Sequence, residues 1–124
     1  MDDDAPPISQ WEPIDHPLVS YIAIHDDDNF AGIAQVNIHS RIEFEVHQAL
    51  LPELGWKKRI EIAKAFFELL RAAGCKRVLG KVVISNRYIM KFNSAIGMEM
   101  FGVDEQSFMR NGRLEDQAYF GLSL

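Results

Sequence analysis

The chain lacks most of what would mark it as secreted, membrane-embedded or polymer-binding. It has one cysteine, Cys75, so no internal disulfide can form and a reducing compartment is expected. That residue lies at a helix-to-strand junction beside apolar neighbours, which suits a small packed side chain better than a reactive thiol. No apolar run reaches the roughly 18 residues of a membrane span. The opening MDDDAPPISQ is acidic and proline-bearing, unlike a signal or transit peptide. A cytoplasmic protein without a membrane partner is the expectation. Positive charge is scarce: 13 Lys and Arg against 18 Asp and Glu give a net charge of −5. This argues against a nucleic-acid partner, because neutralising a run of phosphates needs basic residues spread over one face. The 124 residues suffice for one domain with a modest core and leave no room for a second.

What is present reads in order along the chain. Residues 1–15 carry Asp2, Asp3, Asp4, Pro6, Pro7 and Pro13 with few apolar anchors, so they read as an acidic mobile arm ahead of a single domain over 16–124. YIAIH (21–25) and FAGIAQVNIH (30–39) read as a hairpin across the turn DDDN (26–29). In IEFEVH, Ile42, Phe44 and Val46 alternate with Glu43, Glu45 and His47, the period-2 pattern of a strand with one apolar face. From Gly55 the period changes. Ile60, Ala63, Phe66 or Phe67, Leu70 and Ala73 recur at helical spacing, and Gly74 supplies a stop. Arg77–Ser85 is rich in β-branched residues, so it reads as a buried strand parallel to the one at Ile42. Asn86 is a suitable N-cap for a helix over 87–96 that ends at Gly97. MEMFGV and QAYFGLSL, separated by a polar segment with an Asn111-Gly112 turn, complete an antiparallel pair. The fold class is α+β: a mixed, mostly antiparallel sheet with one βαβ crossover and flanking helices.

The junction at residues 54–60 carries the chemistry. A strand feeds a helix whose first turn holds Lys57, Lys58 and Arg59. Unpaired backbone N–H groups and cations converging there favour a phosphate. Cations at a helix N-terminus otherwise oppose the macrodipole and cost a few tenths of a kcal/mol each, roughly, so their placement asks for a reason. A solvated first turn is the plain alternative. Elsewhere, Asp26–Asn29 lacks the glycine and distal Glu of a calcium loop. His16, His25, His39 and His47 lack the paired spacing of a zinc site, and no metal is expected. Trp11 and Trp56 are candidate partner contacts or partly buried anchors.

The element order, with P-E-L-G-W-K-K-R at the turn, A-A-G-C-K-R-V at the helix exit and N-R-Y-I-M-K-F-N-S-A-I-G-M downstream, resembles the GNAT superfamily of acyl-CoA-dependent N-acetyltransferases. The resemblance runs from about residue 20 to the end. It implies acetyl-CoA as cosubstrate, bound through backbone N–H groups of a loop that in the family reads Arg/Gln-x-x-Gly-x-Gly/Ala. Counting back from Gly74 sets Leu54, Lys57 and Arg59 at the family's Arg/Gln and two glycines; counting from Pro52 brings Gly55 and Trp56 into the loop. Either register has lost glycines. The implied cofactor-binding set is Leu54, Gly55, Trp56, Lys57, Lys58, Arg59 and Ile60, with Asn86 at the family's position after the next strand. Gly97 and Met98 match the family's Gly-Phe with Met98 in place of the aromatic residue.

The resemblance also implies a polarising backbone N–H at Ala49, Leu50 or Leu51, and a general base on the same strand. His47 suits that role first, since an imidazole can accept a proton near neutrality, and Glu45 second. The solvent-facing side of a strand explains the same alternation. The family's acid, a tyrosine seven residues past Asn86, is replaced by Asn93, and Tyr88 sits elsewhere on that helix. The family's N-terminal strand and two helices, one wall of the acceptor site, have no counterpart here. That wall is absent, supplied by a partner subunit in a homodimer, or replaced by the arm. Two readings follow: transfer of acetyl from acyl-CoA to an amine on a small molecule or protein, or a non-catalytic binding or structural protein on the same fold, including those carried by tailed bacteriophages.

Overall fold

The computed structural model describes residues 17–124, so the expected arm and Trp11 lie outside the described residues. Strands β1 (Val19–Asp26) and β2 (Asn29–Ile38) form a hairpin that turns at Asp27 and Asp28. The chain reverses again where Ser40 Oγ accepts the backbone N–H groups of Ile42 (3.3 Å) and Glu43 (3.1 Å), and β3 (Glu43–Leu50) returns along β2. A single 3-10 turn at Pro52–Leu54 leads into α1 (Gly55–Ala72), then β4 (Arg77–Val83) and α2 (Arg87–Ala95). Strands β5 (Glu99–Arg110) and β6 (Arg113–Ser123) end the chain. The sheet order is β1-β2-β3-β4-β6-β5, and β3–β4 is its one parallel pair. The α+β architecture and the βαβ unit match the sequence reading.

One boundary differs. The polar segment expected between MEMFGV and QAYFGLSL is strand for most of its length, and β5 and β6 pair out to Arg110 and Arg113. Two register shifts, at Met100/Gly102 and Asp104/Phe108, absorb residues that fit the pairing poorly. Asn111 (φ 51°) and Gly112 (φ 74°) then close the hairpin with the two positive-φ residues that a primed turn requires.

Alternation along the strands separates two faces. Val36, Val46, Val78, Val82, Ala118 and Phe120 point one way and pack with Ile62, Ala63, Phe66, Phe67 and Leu70 of α1 and Phe92 of α2 in one buried cluster. Both helices therefore cover the same face. Cys75 is buried there at 1% exposure, and burial pushes its thiol up from the ordinary value. The opposite face carries Tyr21, Gln35, Glu45, His47, Lys81 and Tyr119, and no helix among the described residues covers it.

Candidate active site

The two parallel strands share three rungs, Glu43/Arg77, Phe44/Val78 and Glu45/Leu79, and then part. Beyond them β3 stays paired with β2 as far as Leu50, and β4 with β6 as far as Val83. The peptide groups lining this opening follow from alternation. The Leu51 N–H donates to the Ala31 carbonyl (2.9 Å), so odd residues of β3 serve β2, and the N–H groups of Gln48 and Leu50 face the opening. On β4, the Arg77 N–H donates to the Ile42 carbonyl (3.0 Å) and the Ile84 N–H to the Asp116 carbonyl (3.0 Å), so Lys81 and Val83 face the opening from the other side. Of the three backbone positions that the resemblance implies, Leu50 alone directs its N–H inward; Ala49 and Leu51 are committed to β2.

Gln48 adds a second feature. Alternation sets its side chain on the helix-covered face beside Val46 and Leu50, and its Oε1 is buried with no hydrogen-bond partner among the described residues. A buried carbonyl oxygen left unpaired costs about 1–3 kcal/mol. A ligand amide entering the opening would satisfy it.

On the open face, Glu45 and His47 come together. The Glu45 carboxylate bonds His47 Nε2 through Oε2 and His39 Nε2 through Oε1 (3.1 Å). The hydrogen bond from His47 is the largest cause holding the Glu45 carboxyl below its ordinary value, outweighing partial burial that acts the other way. Across the opening, Lys81 Nζ pairs with Asp104 (2.9 Å) and lies 5.1 Å from the centre of the Tyr119 ring, whose hydroxyl also donates to Asp104 (3.3 Å).

The three cations of the first helical turn separate. Lys58 pairs with Asp26 (3.2 Å) and Glu61 (3.7 Å), toward the β1–β2 turn. Arg59 donates Nε–H to the Leu51 carbonyl (3.1 Å) and another N–H to the Tyr88 hydroxyl. Lys57 is exposed and forms no ion pair among the described residues. Leu54 is the N-cap and offers no side-chain acceptor, so no side chain among the described residues caps the first-turn N–H groups. The Gly55 N–H turns back to the Pro52 carbonyl. Beside this turn Trp56 packs edge-on against Tyr88 (5.4 Å) and Phe92 (5.7 Å), with Lys91 Nζ 5.6 Å from its ring centre. The corner between α1 and α2 is thus lined by aromatic rings. Ile60 packs against the core cluster. Asn86 caps α2, its Oδ1 accepting the Ile89 N–H (3.2 Å), and Asn93 lies over Gly80 of β4.

Sequence reasoning missed Gln48, His39, Lys81, Asp104 and Tyr119. Gln48 was readable as a polar residue on the apolar face of β3; the others meet only through pairing between distant segments.

No protein-family model matches the sequence, and no curated protein matches it by sequence. Solved structures do match. A variant of spermidine N-acetyltransferase SpeG from Vibrio cholerae superposes with a TM-score of 0.76 at 13% identity, over 88% of this chain and 68% of that one. A Salmonella typhimurium protein assigned as an acetyltransferase, solved with its cofactor acetyl-CoA, gives 0.71 at 14% identity over 86% and 65%. A GNAT-family acetyltransferase from Streptococcus pneumoniae gives 0.70 at 14% identity over 89% and 70%. The chain spans about two thirds of the length of these structures and has the fold of the GNAT acetyltransferases.

Proposed function

We propose that the protein is an N-acyltransferase that moves an acetyl group from acetyl-CoA to an amine. The parting of β3 and β4 after Glu45/Leu79 carries this reading, because it offers inward peptide groups on both edges together with the unpaired Gln48 Oε1. Those groups suit a ligand that is a chain of amides. At the head of the opening, the first-turn N–H groups of α1 and the unpaired Lys57 suit a diphosphate. Trp56 and Tyr88, with the exposed Arg87 and Lys91 close by on α2, suit an aromatic base bearing a phosphate. Lys58 and Arg59 enter the proposal as supports, one tied to the β1–β2 turn and the other to Leu51 and Tyr88. Asn86 holds the first turn of α2.

Acetyl-CoA supplies an activated thioester. The chain's own work is to polarise and to move a proton. The Leu50 N–H is the donor for the carbonyl oxygen as negative charge develops there. His47, with Glu45 beside it, takes the proton from the attacking amine. With Asn93 where the family has a tyrosine, the departing thiolate takes its proton from water. The domain comprises residues 16–124 with the arm ahead of it, and the open sheet face around His47 is where the acceptor binds.

Calorimetric titration with CoA and acetyl-CoA, followed by a transfer assay with spermidine as probe amine, tests the reading. Saturable binding and release of free CoA are expected. No heat at ligand concentrations of hundreds of micromolar, with the protein shown folded, removes the reading and leaves a non-catalytic module on this fold.

A further inference from the structure

Both oxygens of the Glu45 carboxylate are engaged by imidazole nitrogens of the same type, Nε2 of His47 and Nε2 of His39. An ionised carboxylate accepts hydrogen bonds and donates none. Glu45 is held in that ionised form. Each ring must therefore carry a proton on Nε2, and in the neutral ring that leaves Nδ1 as the nitrogen with a lone pair. No described residue bonds His47 Nδ1.

The two rings differ in setting. The His47 side chain is 22% exposed and that of Glu45 21%, whereas His39 is 43% exposed at the end of the β2–β3 hairpin. Glu45 belongs to the last shared rung with β4, and His47 is the next residue on that face, beside the opening. Across β2, Gln35 and Asn37 lie opposite His47 and Glu45, and the Gln35 amide donates to the Asn37 side chain (2.9 Å), so it does not compete for the carboxylate.

We propose that Glu45 is a positioning residue that holds His47 as the Nε2–H tautomer, that His39 occupies the second carboxylate oxygen, and that His47 Nδ1 is the nitrogen that accepts the amine proton. The last step rests on the acyltransfer reading above. As the amine nitrogen bonds to the acyl carbon and the carbon–sulfur bond breaks, the electron pair leaves on sulfur. Nδ1 takes the proton from nitrogen, and the resulting imidazolium keeps its Nε2–H on Glu45. A carboxylate at that place fixes the ring and favours the charged form as it appears.

Long-range proton–nitrogen NMR of the intact protein, at a pH where both rings are neutral, reads the tautomers directly. His39 and His47 are both expected as Nε2–H. In Glu45→Ala the His47 signal is expected to spread over both tautomers, and in Glu45→Gln, whose side-chain oxygen still accepts, to return to Nε2–H. A His47 ring protonated on Nδ1 in the unaltered protein, or one indifferent to Glu45→Ala, overturns the proposal. With acetyl-CoA and spermidine, Glu45→Ala is expected to lower kcat about tenfold, at the low end of general-base effects, with KM for acetyl-CoA unchanged and part of the rate recovered in Glu45→Gln. An unchanged kcat removes the positioning role. If the unaltered protein transfers nothing, the acyltransfer reading and the base assignment fall, while the spectrum still decides the tautomer.

Discussion

Glu45 and Leu79 form the last rung between β3 and β4, and the first side chain past it on the same face of β3 is His47. The point where the sheet parts and the point where its ionisable residues gather are therefore one place.

Gln48→Leu should stabilise the protein and weaken its ligand. The substitution removes a buried acceptor without a partner, so unfolding in urea is expected to show a gain of about 1–2 kcal/mol. The same change deprives an entering amide of its acceptor, and calorimetry is expected to show CoA binding weakened about tenfold, or about 1.4 kcal/mol. A loss of stability would mean that Oε1 has a partner in solution.

Lys57 and Lys58 should separate. Lys57→Ala is expected to lower CoA affinity about threefold to fivefold, with an effect that shrinks as salt is added. Lys58→Ala breaks the ion pairs with Asp26 and Glu61 and is expected to spare affinity. Equal effects on affinity would show that Lys58 leaves Asp26 to bind the ligand.

Gly32→Ala should disturb the outer edge of the opening. A Cβ on Gly32 would stand inside the van der Waals shell of the Ala49 carbonyl oxygen and 2.9 Å from Leu50 Cα, both backbone atoms. The expected cost is about 1–3 kcal/mol, seen as a drop in Tm of about 4 °C per kcal/mol. An unaltered Tm would show that β2 and β3 are less closely applied than described.

The Lys81–Asp104 pair should shape the pH dependence of stability at both extremes. The hydrogen bond with Asp104 is the largest cause raising the Lys81 amine above its ordinary 10.5. The hydrogen bond from Lys81 is the largest cause lowering the Asp104 carboxyl below its ordinary 3.8. The Asp104 contribution is full above its unfolded value and is lost as pH falls through its lowered folded value. The Lys81 contribution is full below its unfolded value and is lost as pH rises through its raised folded value. The difference in stability between the unaltered protein and Lys81→Met is thus expected to be flat from pH 3.8 to 10.5 and to narrow outside that range. Chemical denaturation at a series of pH values measures it, and a difference that changes steadily through neutrality would point to another partner.

The β3–α1–β4 unit was legible in the sequence because the apolar period switches from two to helical spacing at Gly55, and because Asn86 and Gly97 frame α2. The length of the last hairpin was not legible. Asp104, Glu105, Gln106 and Ser107 are poor strand formers, and only the shifted register lets Phe108–Arg110 resume pairing beyond them. His47 and Glu45 were found by alternation, whereas His39 joins them only once the β2–β3 hairpin closes. Three neighbouring cations suggested one shared task. Lys58 instead answers Asp26 and Arg59 answers Tyr88, partners whose proximity no local pattern reveals. No local pattern in Arg77–Val83 marks where β3 and β4 part, since Val78, Leu79, Val82 and Val83 suit a strand whether or not another lies beside it.

Three rungs make a short seam. The sheet is in effect two leaves, β1-β2-β3 and β4-β6-β5, stitched over Glu43–Glu45 and otherwise held in line by the apolar stripe of α1 that both share. Slow breathing of the molecule should concentrate along that stitch, so the amide of Arg77 should exchange with solvent deuterium sooner than the amides joining β4 to β6.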